Sequence, residues 1–436
     1  MDNSKPITHN SQLTTHNSQP PTRILVIGSG GREHAIGWKF AEDFKKKNQE
    51  LELFFIPGNA GTAQLGQNIS LKSLEEIRDF AKEEKIDLTF VGPEDELSRG
   101  IVDLFKEAGL EIFGPDQKAA QLEASKAFAK DFMQKYGVKT ATYKTFQGPM
   151  LAIEYLESQE FPIVVKASGL AAGKGVIICQ NFEEAKKAVL EIMEDKTFGE
   201  AGSEVVIEEY LEGFEASILS FFNGKEIVPF VSAKDHKKIG EGETGLNTGG
   251  MGVLAPNPLF QPEHFDAFES GILQPTLKGL LEENLLFSGV IFFGLMITSK
   301  GVYLLEYNLR MGDPETQATL PLLENDLYEI VRKSNRGEHF KLEFSNQQAC
   351  CVVMVSGGYP LNYEKGFEIR GLENVQSPYF IAGAQLSDGK VLTSGGRVVN
   401  VVGIGDTMEE ARTIAYENVK RIHFDYEYYR NDIGLI

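Results

Sequence analysis

The sequence predicts an α/β protein of several domains that begins with a doubly wound parallel sheet. Strands and helices alternate from residue 23 to about residue 120, and this alternation is typical of a parallel sheet covered by helices. The chain has 436 residues. That length is too great for a single core and predicts roughly two to four domains.

Each element of the first domain has its own signal. An apolar run from Arg23 to Ile27 ends in a glycine turn that opens a helix, and the strand LELFFIP follows. The segment SLEEIRDFAKEEK predicts a helix that feeds the strand Leu88–Val91. GIVDLFKEAGLEIFGPD predicts a further helix and strand.

The remainder of the chain predicts more strands and fewer helices. We expect one helix over AAQLEASKAFAKDFMQKYGV, another over ETQATLPLLENDLYEIVRKS and a helical stretch near 265–285. KKIGEGETGLNTGGMG predicts a loop, and Ser299–Gly301 the turn of a hairpin. A last small domain contains a helix that begins at Met408 after a cap at Asp406 or Thr407. Strands are predicted at PIVVKASG, KGVIICQ, EVVIEEYL, EASILSFFNG, EIVPFVSA, GVIFFGLMIT and GVYLLEYNL.

The bulk composition excludes several classes of protein. Acidic residues outnumber basic ones by 63 to 43, a net charge of −20, which argues against extended nucleic-acid contact because that contact depends on neutralising phosphates. No apolar run approaches the ~20 residues that span a bilayer. Three cysteines without a C-x-x-C pair predict a reduced, cytoplasmic protein. Residues 1–22 are polar and contain THNSQ twice, so we expect a disordered leader and not a secretory signal.

The first glycine motif, GSGGREHA from Gly28 to Ala35, has three interpretations. It follows a strand and opens a helix, where backbone N–H groups suit a phosphate. A dinucleotide-binding turn is disfavoured, because Glu33 replaces the third glycine of that fingerprint and no acid follows the second strand. The others are a tight turn alone and a loop for a phosphorylated small substrate, to which Arg32 would add a fixed cation.

A second glycine motif, VVKASGLAAGKGV from Val164 to Val176, lies between two predicted strands. It is not a Walker A loop, because its spacing is one residue short and Gly175 stands where Ser or Thr would hold Mg²⁺. A glycine loop between strands can close over a triphosphate as a lid, with Lys166 directed into the site. The alternative is a plain hairpin with solvated lysines.

Charged residues cluster at two further strand ends. Glu208 and Glu215 are candidates to hold the adenine and ribose of a nucleotide, although acids at strand ends are more often solvated. The segment Asp235–Gly252 is long and rich in glycine, which is typical of a functional loop, and its first side chains are suited to line an anion site. His236 is a candidate base, with a packing role as the alternative.

The segment VYLLEYNLRMGDPETQ, from Val302 to Gln317, carries the strongest chemical signal. Side chains alternate along a strand. We therefore expect one face, the core, to carry Tyr303, Leu305, Tyr307, Leu309 and Met311, and the other to carry Glu306, Asn308 and Arg310.

The polar face of this strand suits phosphate chemistry. A carboxylate and an amide oxygen two residues apart are hard ligands that suit Mg²⁺, and Arg310 would stabilise charge on a transferring phosphoryl group. Asp313 and Glu315, just beyond the strand, would hold a cationic amine. The alternative is an amphipathic strand whose polar face meets water.

Together these motifs resemble the ATP-grasp superfamily and, within it, the phosphoribosylamine–glycine ligase family. The resemblance runs in the family's order from residue 23 to the C-terminus, and NTGGMG with RMGDPETQ is highly specific. Beside the segments quoted above, it rests on PGNAGT, VGPE, IEEYLEG, DHKKIGEGETGLNTGGMG, SGGYP and SGGRV.

The resemblance implies a four-part fold around one cleft, and a reaction. After the leader at 1–22 come an N-terminal substrate-binding domain at 23–123, an ATP-grasp α+β domain of two subdomains at 124–333 with its lid at about 138–212, and a small C-terminal α+β domain at 334–436. ATP would phosphorylate the carboxylate of glycine. The amine of 5-phosphoribosylamine would attack the acyl phosphate, giving glycinamide ribonucleotide, ADP and phosphate in purine biosynthesis. The protein would be a cytoplasmic monomer that uses Mg²⁺ or Mn²⁺, without nucleic-acid or membrane partners.

The resemblance also implies roles for individual residues, carried over by position. Catalysis would involve Arg310, Lys166, Asp235 and Lys237. ATP would contact Lys126, Lys166, Gly169, Gly173, Lys174, Gly175, Glu208, Glu209, Leu211 and Glu215. The other substrates would contact Gly30, Gly31, Arg32, Glu33, Glu94, Asn247, Thr248, Gly249, Gly250, Asp313 and Glu315. The metal would bind Glu306 and Asn308.

Three places depart from the family's pattern. Met296 stands where many ATP-grasp enzymes have another acidic ligand, so the metal count is open. Lys238 replaces a frequent Arg, which would remove a bidentate anion contact. Leu309 and Met311 replace Cys and Phe, and we expect repacking there without a change of function.

Three other functions compete with this one. The first is another ATP-grasp carboxylate–amine ligase with a different substrate. The second is a nucleotide-binding module without catalysis. The third is a Rossmann oxidoreductase, which Glu33 and Pro57 already disfavour.

Overall fold

The N-terminal domain is a parallel sheet covered by helices, as predicted. The computed structural model describes residues 20–170, 175–194 and 199–435. The strands of this domain are β1 Thr22–Gly28, β2 Leu51–Pro57, β3 Gln67–Asn68, β4 Leu88–Val91 and β5 Ile112–Phe113. They pair in parallel in the order β3-β2-β1-β4-β5. The helices are α1 Gly31–Lys46, α2 Leu74–Glu83, α3 Glu94–Ser98, α4 Ile101–Glu107 and α5 Gln117–Ala124.

The single helix expected over AAQLEASKAFAKDFMQKYGV is wrong, because the chain forms two helices there. α5 ends at Ala124, and α6 begins at Lys126 and ends at Tyr136. Between them Ser125 is extended (φ −133°, ψ 108°), and its hydroxyl accepts a hydrogen bond from the backbone N–H of Phe128. Serine favours this cap over a helix interior. The break directs both Glu123 and Lys126 into the cleft described below.

The segment expected to form the lid, which keeps that name below, contains a small antiparallel sheet and two helices. Its strands are β6 Tyr143–Phe146, β7 Ile163–Ala167, β8 Val176–Cys179 and β9 Val205–Glu209, in the order β6-β9-β7-β8. Its helices are α7 Pro149–Leu156 and α8 Phe182–Met193, and a 3₁₀ turn spans Gly199–Gly202. Lys166 pairs with Val176 across β7 and β8. The glycine motif therefore connects adjacent strands, as expected.

The central part of the chain builds most of a large sheet. The strands of this central part are β10 Phe214–Phe222, β11 Ile227–Asp235, β12 Lys238–Gly240, β13 Thr244–Asn247, β14 Gly252–Ala255, β15 Gly289–Thr298 and β16 Gly301–Asn308. Of these, β12 and β13 pair only with each other. Its helices are α9 Pro262–Phe268, α10 Gln274–Glu282, α11 Glu315–Thr319 and α12 Leu327–Asn335. The hairpin of β15 and β16 turns at Ser299–Gly301, as predicted.

Two further local expectations are wrong. The segment expected as a glycine-rich loop contains a small hairpin, because β12 and β13 pair in antiparallel fashion. The helix expected over ETQATLPLLENDLYEIVRKS is interrupted after a 3₁₀ turn at Leu320–Leu322. The carboxylate of Asp326 accepts from the backbone N–H of Glu329 and starts α12 anew.

A β-bulge in β16 changes which side chains face the core. Gly294 pairs with Glu306 while Leu295 pairs with Leu304, so Leu305 is the extra residue of the bulge. The core side chains before the bulge are therefore Val302 and Leu304, and the expectation that Tyr303 and Leu305 face the core is wrong. Beyond the bulge the expected alternation holds, with Tyr307, Leu309 and Met311 buried.

The C-terminal part continues the same large sheet. Its strands are β17 Gln348–Ser356, β18 Tyr379–Ile381, β19 Ala384–Ser387, β20 Lys390–Thr393, β21 Arg397–Gly405 and β22 Glu427–Tyr428, with helix α13 Met408–Val419 capped by Thr407. The sheet runs in the order β16-β15-β10-β11-β14-β17-β21-β18. Because β14 pairs with β17, the sheet crosses the domain boundary predicted near residue 334.

Cys179, Cys350 and Cys351 are buried and free of disulfides. Over the described ranges, no helix is both long enough and apolar enough to cross a bilayer.

Candidate active site

A pocket lies where the lid, strand β16 and the α5–α6 break meet. It is lined on one side by Lys166 and Glu208 of the lid and on the other by Glu306 and Asn308 of β16. The expected site residues that line it are Glu94, Lys126, Lys166, Gly175, Glu208, Glu306, Asn308 and Arg310. Residues separated by up to about two hundred positions in sequence therefore share one concave site, which is the usual form of a small-molecule site.

Glu208 is held between two lysines inside this pocket. Its carboxylate lies 2.8 Å from the Lys166 ammonium and 3.2 Å from that of Lys130. Burial opposes ionisation, but the two lysines hold the pKa of Glu208 below its ordinary value. Burial also lowers the pKa of Lys130 to about 8. The carboxylate thus fixes the direction of Lys166, a cation suited to bind phosphate.

Lys130 is a site residue that sequence reasoning missed. It is one turn after Lys126 on α6, and its ammonium donates to the hydroxyl of Thr140 as well as pairing with Glu208. The signal was present in SKAFAKDF, where two lysines at i and i+4 lie on one helix face.

Lys126 connects the α6 N-terminus to the loop that follows β7. Its ammonium donates to the carbonyl oxygen of Gly169 at 3.2 Å, and its backbone N–H donates to that of Ser168. Burial lowers the pKa of Lys126, against the opposing effect of Glu306. Gly173 and Lys174 of the same expected loop lie outside the described residues.

Arg310 is anchored by two carboxylates at the floor of the pocket. Its guanidinium lies 3.3 Å from Glu123 and 3.3 Å from Glu94, and it donates to the amide oxygen of Asn308 at 3.1 Å. The other oxygen of Glu123 accepts from the backbone N–H of Leu309 at 2.6 Å. Burial raises the pKa of Glu123 to about 7, although Arg310 acts to lower it. Sequence reasoning missed Glu123, whose helix had been expected to continue unbroken.

Glu306 and Asn308 fit a hard divalent cation. Among the described side chains, none forms a hydrogen bond or a direct ion pair with Glu306. Burial opposes its ionisation, but Lys237 and Lys126 help to hold its pKa below the ordinary value. Within the described ranges there is no cluster of three or more acidic, histidine or cysteine ligands. The two side-chain oxygens suit an ion whose other ligands are phosphate oxygens or water.

The first glycine motif is arranged around Glu33, which is almost fully buried. Its carboxylate accepts from the backbone N–H of Gly30 at 2.6 Å and from the Arg32 guanidinium at 2.5 Å. Cβ atoms at Gly28 and Gly92 would lie 2.5 and 2.0 Å from the Glu33 side chain. The carboxylate therefore fills the notch between β1 and β4, which explains physically why the motif departs from a dinucleotide fingerprint.

Asp313 joins the turn after β16 to the N-terminal domain. A Cβ atom at Gly30 would lie 3.0 Å from its carboxylate, so the two expected substrate contacts are neighbours. Its carboxylate accepts from the Gln317 amide at 2.8 Å and lies 3.3 Å from the Arg397 guanidinium. Burial opposes ionisation, but Arg397 and Arg32 hold its pKa below the ordinary value. Asp313 is thus an ionised carboxylate.

Asp235 and Glu315 form a second acidic group next to Lys237. Burial and Glu315 raise the pKa of Asp235, and burial raises that of Glu315. Lys237 pairs with Glu215 at 2.7 Å, which raises the pKa of the lysine. A Cβ atom at Gly250 would lie 2.7 Å from Asp235. The group therefore presents carboxylates and one cation in the same region.

The end of the segment Asp235–Gly252 folds back on its start. The hydroxyl of Thr248 donates to the carbonyl oxygen of Lys237 and accepts from the backbone N–H of Gly250. His236 lies 2.7 Å from Glu243 of the β12–β13 hairpin. The side chains of Asp235 and His236 are adjacent in the chain and point in opposite directions. His236 therefore contacts this hairpin and not the acidic group.

Several expected contacts lie away from the pocket wall. The exposed Glu209 accepts from the backbone N–H of Thr142 at 2.8 Å. Asn247 is exposed on β13. Leu211 and Glu215 follow the end of β9 and do not line the pocket formed by the described residues.

Comparisons with known proteins agree on one family. Models described as the N, ATP-grasp (A) and C domains of phosphoribosylglycinamide synthetase match residues 22–123, 124–316 and 349–436. The chain belongs to this family. It is 52% identical to the phosphoribosylamine–glycine ligase of Fusobacterium nucleatum over 95% of this chain and 98% of that one.

Solved structures support the fold as well. The chain is similar to crystalline phosphoribosylamine–glycine ligase from Thermotoga maritima, with a TM-score of 0.84 and 35% identity over 94% of this chain and 100% of that one. It also resembles the biotin carboxylase domain of Hydrogenobacter thermophilus 2-oxoglutarate carboxylase, with a TM-score of 0.71 and 17% identity over 94% and 92% of the two chains. The second similarity concerns the fold alone.

Proposed function

We propose that this chain is an ATP-dependent ligase that joins glycine to 5-phosphoribosylamine and releases glycinamide ribonucleotide, ADP and phosphate. The observation that carries the proposal is one strand segment. Glu306, Asn308 and Arg310 face the pocket lined by Lys166, and Asp313 follows beside the first glycine motif. Family membership over nearly the whole chain supports the choice of substrates.

The geometry divides the work between two halves of the cleft. Lys126 and Lys166 would bind phosphate oxygens of ATP, while Glu306 and Asn308 would hold Mg²⁺ or Mn²⁺. The metal ion would neutralise charge on those phosphates. Arg310 would stabilise the transferring phosphoryl group as it passes to the glycine carboxylate.

The substrate half would hold an amine near the activated carboxylate. Asp313 is ionised and lies beside Gly30, so it is suited to bind a cationic or hydroxyl-bearing group. Asp235 and Glu315 have raised pKa values, so whichever of the two is ionised is a stronger base than an ordinary carboxylate and is suited to accept the proton that the attacking amine loses. An acyl phosphate hydrolyses readily, and a lid over the cleft would exclude water.

Product formation decides this proposal. Purified protein should release ADP only when ATP, glycine, 5-phosphoribosylamine and Mg²⁺ are all present, and should form glycinamide ribonucleotide in equal amount. Glu306→Ala should lower turnover by about 10²-fold or more, because a metal ligand is lost. ADP release that does not depend on glycine would reject these substrates. Unchanged turnover in Glu306→Ala would reject the assigned metal site.

Two finer expectations belong to the same proposal. Activity with Mn²⁺ in place of Mg²⁺ tests whether two oxygen ligands admit both ions, as hard-ligand sites often do. We also infer that the protein is a cytoplasmic monomer, which light scattering and cell fractionation would check.

A further inference from the structure

Two glycine motifs of the C-terminal part, SGGYP at 356–360 and SGGRV at 394–398, pack together as one unit. The backbone N–H and the hydroxyl of Ser356 donate to the carbonyl oxygens of Gly396 and Gly395 at 2.8 and 2.9 Å. A Cβ atom at Gly396 would lie 2.3 Å from the ring of Tyr359. The absence of side chains thus lets the Tyr359 ring lie directly against the second motif.

This unit forms hydrogen bonds with both backbone polar groups of Gly249, its carbonyl oxygen and its N–H. The Arg397 guanidinium donates to the carbonyl oxygen of Gly249 at 2.6 Å. The backbone N–H of the same glycine donates to the hydroxyl of Tyr359 at 2.9 Å. A Cβ atom at Gly249 would lie 3.1 Å from the guanidinium carbon and 3.3 Å from the Tyr359 hydroxyl. A side chain at this position would therefore press against both groups, and they would have to shift slightly to admit it.

The same guanidinium reaches the turn after β16. Its Nη1 atom also donates to the carbonyl oxygen of Asp313 at 2.7 Å, and Nη2 lies 3.3 Å from the Asp313 carboxylate. Arg397 is therefore a single rigid link between the 247–250 loop and Asp313. Lysine cannot replace it fully, because three contacts of this kind need a planar group with several donors.

Attachment of the C-terminal part does not depend on this link. Strand β14 pairs with β17 along four residue pairs. At another place the amide of Asn59 donates to the carbonyl oxygen of Ile381 at 2.8 Å, and the backbone N–H of Ile381 donates to His34 at 2.9 Å. Removal of the Arg397 contacts should therefore move the loop and the turn while the domains stay docked.

We propose that Arg397 and Tyr359 are positioning residues through which the C-terminal part holds the 247–250 loop and Asp313 in register for the substrate half of the cleft. This rests on the proposed function in that the loop and Asp313 serve glycine or 5-phosphoribosylamine. Neither side chain itself takes part in the chemistry. Misplacement of the two segments should weaken use of those substrates and leave the ATP half of the cleft unaffected.

The first arm of the test does not require ligase activity. Hydrogen exchange of the full chain, followed by mass spectrometry, reports on peptides that cover 247–252. Tyr359→Phe keeps the ring against Gly396 and removes the acceptor of the Gly249 N–H, so exchange there should rise. Arg397→Gln should raise it further. Lid peptides should stay unchanged in both, and Arg370→Gln, an exposed arginine of the same part, should match the parent protein.

The second arm is kinetic. Arg397→Gln should lower kcat/KM for 5-phosphoribosylamine or glycine by about 10²-fold, the effect of a reacting group misplaced by about 1 Å. Tyr359→Phe should lower it by about fivefold, as for one lost hydrogen bond, and Arg397→Lys should recover part of the loss. The KM for ATP and the melting temperature should stay close to those of Arg370→Gln.

The outcomes separate the two proposals. A parent protein without glycine-dependent activity rejects the proposed function, while exchange at 247–252 still decides whether the unit positions the loop. Unchanged exchange in both variants overturns the positioning role. Full activity of Arg397→Gln overturns it as well. So does a loss of ATP affinity as large as the loss in kcat/KM for the other substrates, if the melting temperature falls with it.

Discussion

At the residue scale, the site depends on charged side chains that hold one another in place. Glu208 orients Lys166, Glu33 orients Arg32, and Glu123 with Glu94 orients Arg310. Each cation that a phosphate chemistry needs is thus fixed before substrate arrives, which lowers the cost of ordering it during the reaction.

Glu123→Gln tests this arrangement at Arg310. The glutamine oxygen can still accept from the backbone N–H of Leu309. In an assay about one pH unit above the raised pKa of Glu123, about 7, the substitution removes the negative charge beside the guanidinium. We expect kcat to fall about tenfold through poorer orientation of Arg310, with little change in the KM for ATP. Steady-state kinetics beside Glu107→Gln, an exposed acid of the same domain, would check this. Equal activity of the two variants would contradict the role of Glu123.

Asp313→Asn tests the division of the cleft. The amide keeps the shape of the side chain but removes the charge that Arg397 and Arg32 stabilise. We expect kcat/KM for the substrate held there to fall at least about tenfold, as for a lost charged hydrogen bond, while ATP affinity stays within about threefold. Nucleotide titration and substrate kinetics separate these effects. A large loss of ATP affinity would show that the division lies elsewhere, and Asp425→Asn, an exposed change, serves as the control.

At the element scale, irregularities place the reactive side chains. The break at Ser125 directs Glu123 and Lys126 to the cleft, and the bulge at Leu305 sets the faces of β16. Local pattern predicted the strand and the helical residues correctly, but it could not locate the break or the bulge. The break serves a partner from another element, because Glu123 beside it accepts from the backbone N–H of Leu309.

Close helix–sheet packing should make Gly403 intolerant of a side chain. A Cβ atom there would lie 1.9 Å from the carbonyl oxygen of Ala411 and 2.5 Å from the backbone nitrogen of Ala415. Backbone atoms of α13 cannot rotate away, so we expect Gly403→Ala to cost about 2 kcal/mol or more of stability. Thermal unfolding beside Gly271→Ala measures this. In the control, the added Cβ atom would lie 3.8 Å from the Cβ atom of Lys139, an ordinary van der Waals distance. Destabilisation of both variants to the same extent would contradict the packing argument.

At the scale of the whole molecule, the N-terminal and C-terminal parts meet at His34. Its Nδ1 atom accepts from the backbone N–H of Ile381, which requires that nitrogen to be unprotonated. Burial lowers the pKa of His34 from 6.5 to about 4. The unfolded chain therefore takes up a proton as pH falls through 6.5, and the folded protein does so only near pH 4. Stability should accordingly fall with pH between these values.

His34→Gln tests that linkage. The parent protein should lose about 2 kcal/mol of unfolding free energy between pH 7 and pH 5 through this group. The glutamine variant cannot titrate, so its loss should be smaller by that amount. Denaturant unfolding of both proteins at the two pH values gives the difference directly. An identical pH dependence in parent and variant would show that the pKa of His34 is the same in the folded and the unfolded protein.

The sequence by itself determined the class of the fold and the order of the motifs. It also predicted the metal-binding pair of β16. These depend on local periodicity and on residue types a few positions apart. Only the tertiary structure decided that Glu33 fills the notch beside Gly92, that Glu123 holds Arg310 and that Arg397 joins Gly249 to Asp313. Each of these contacts joins residues distant in the chain, because the order of strands in a sheet sets which turns become neighbours. No local pattern encodes that order.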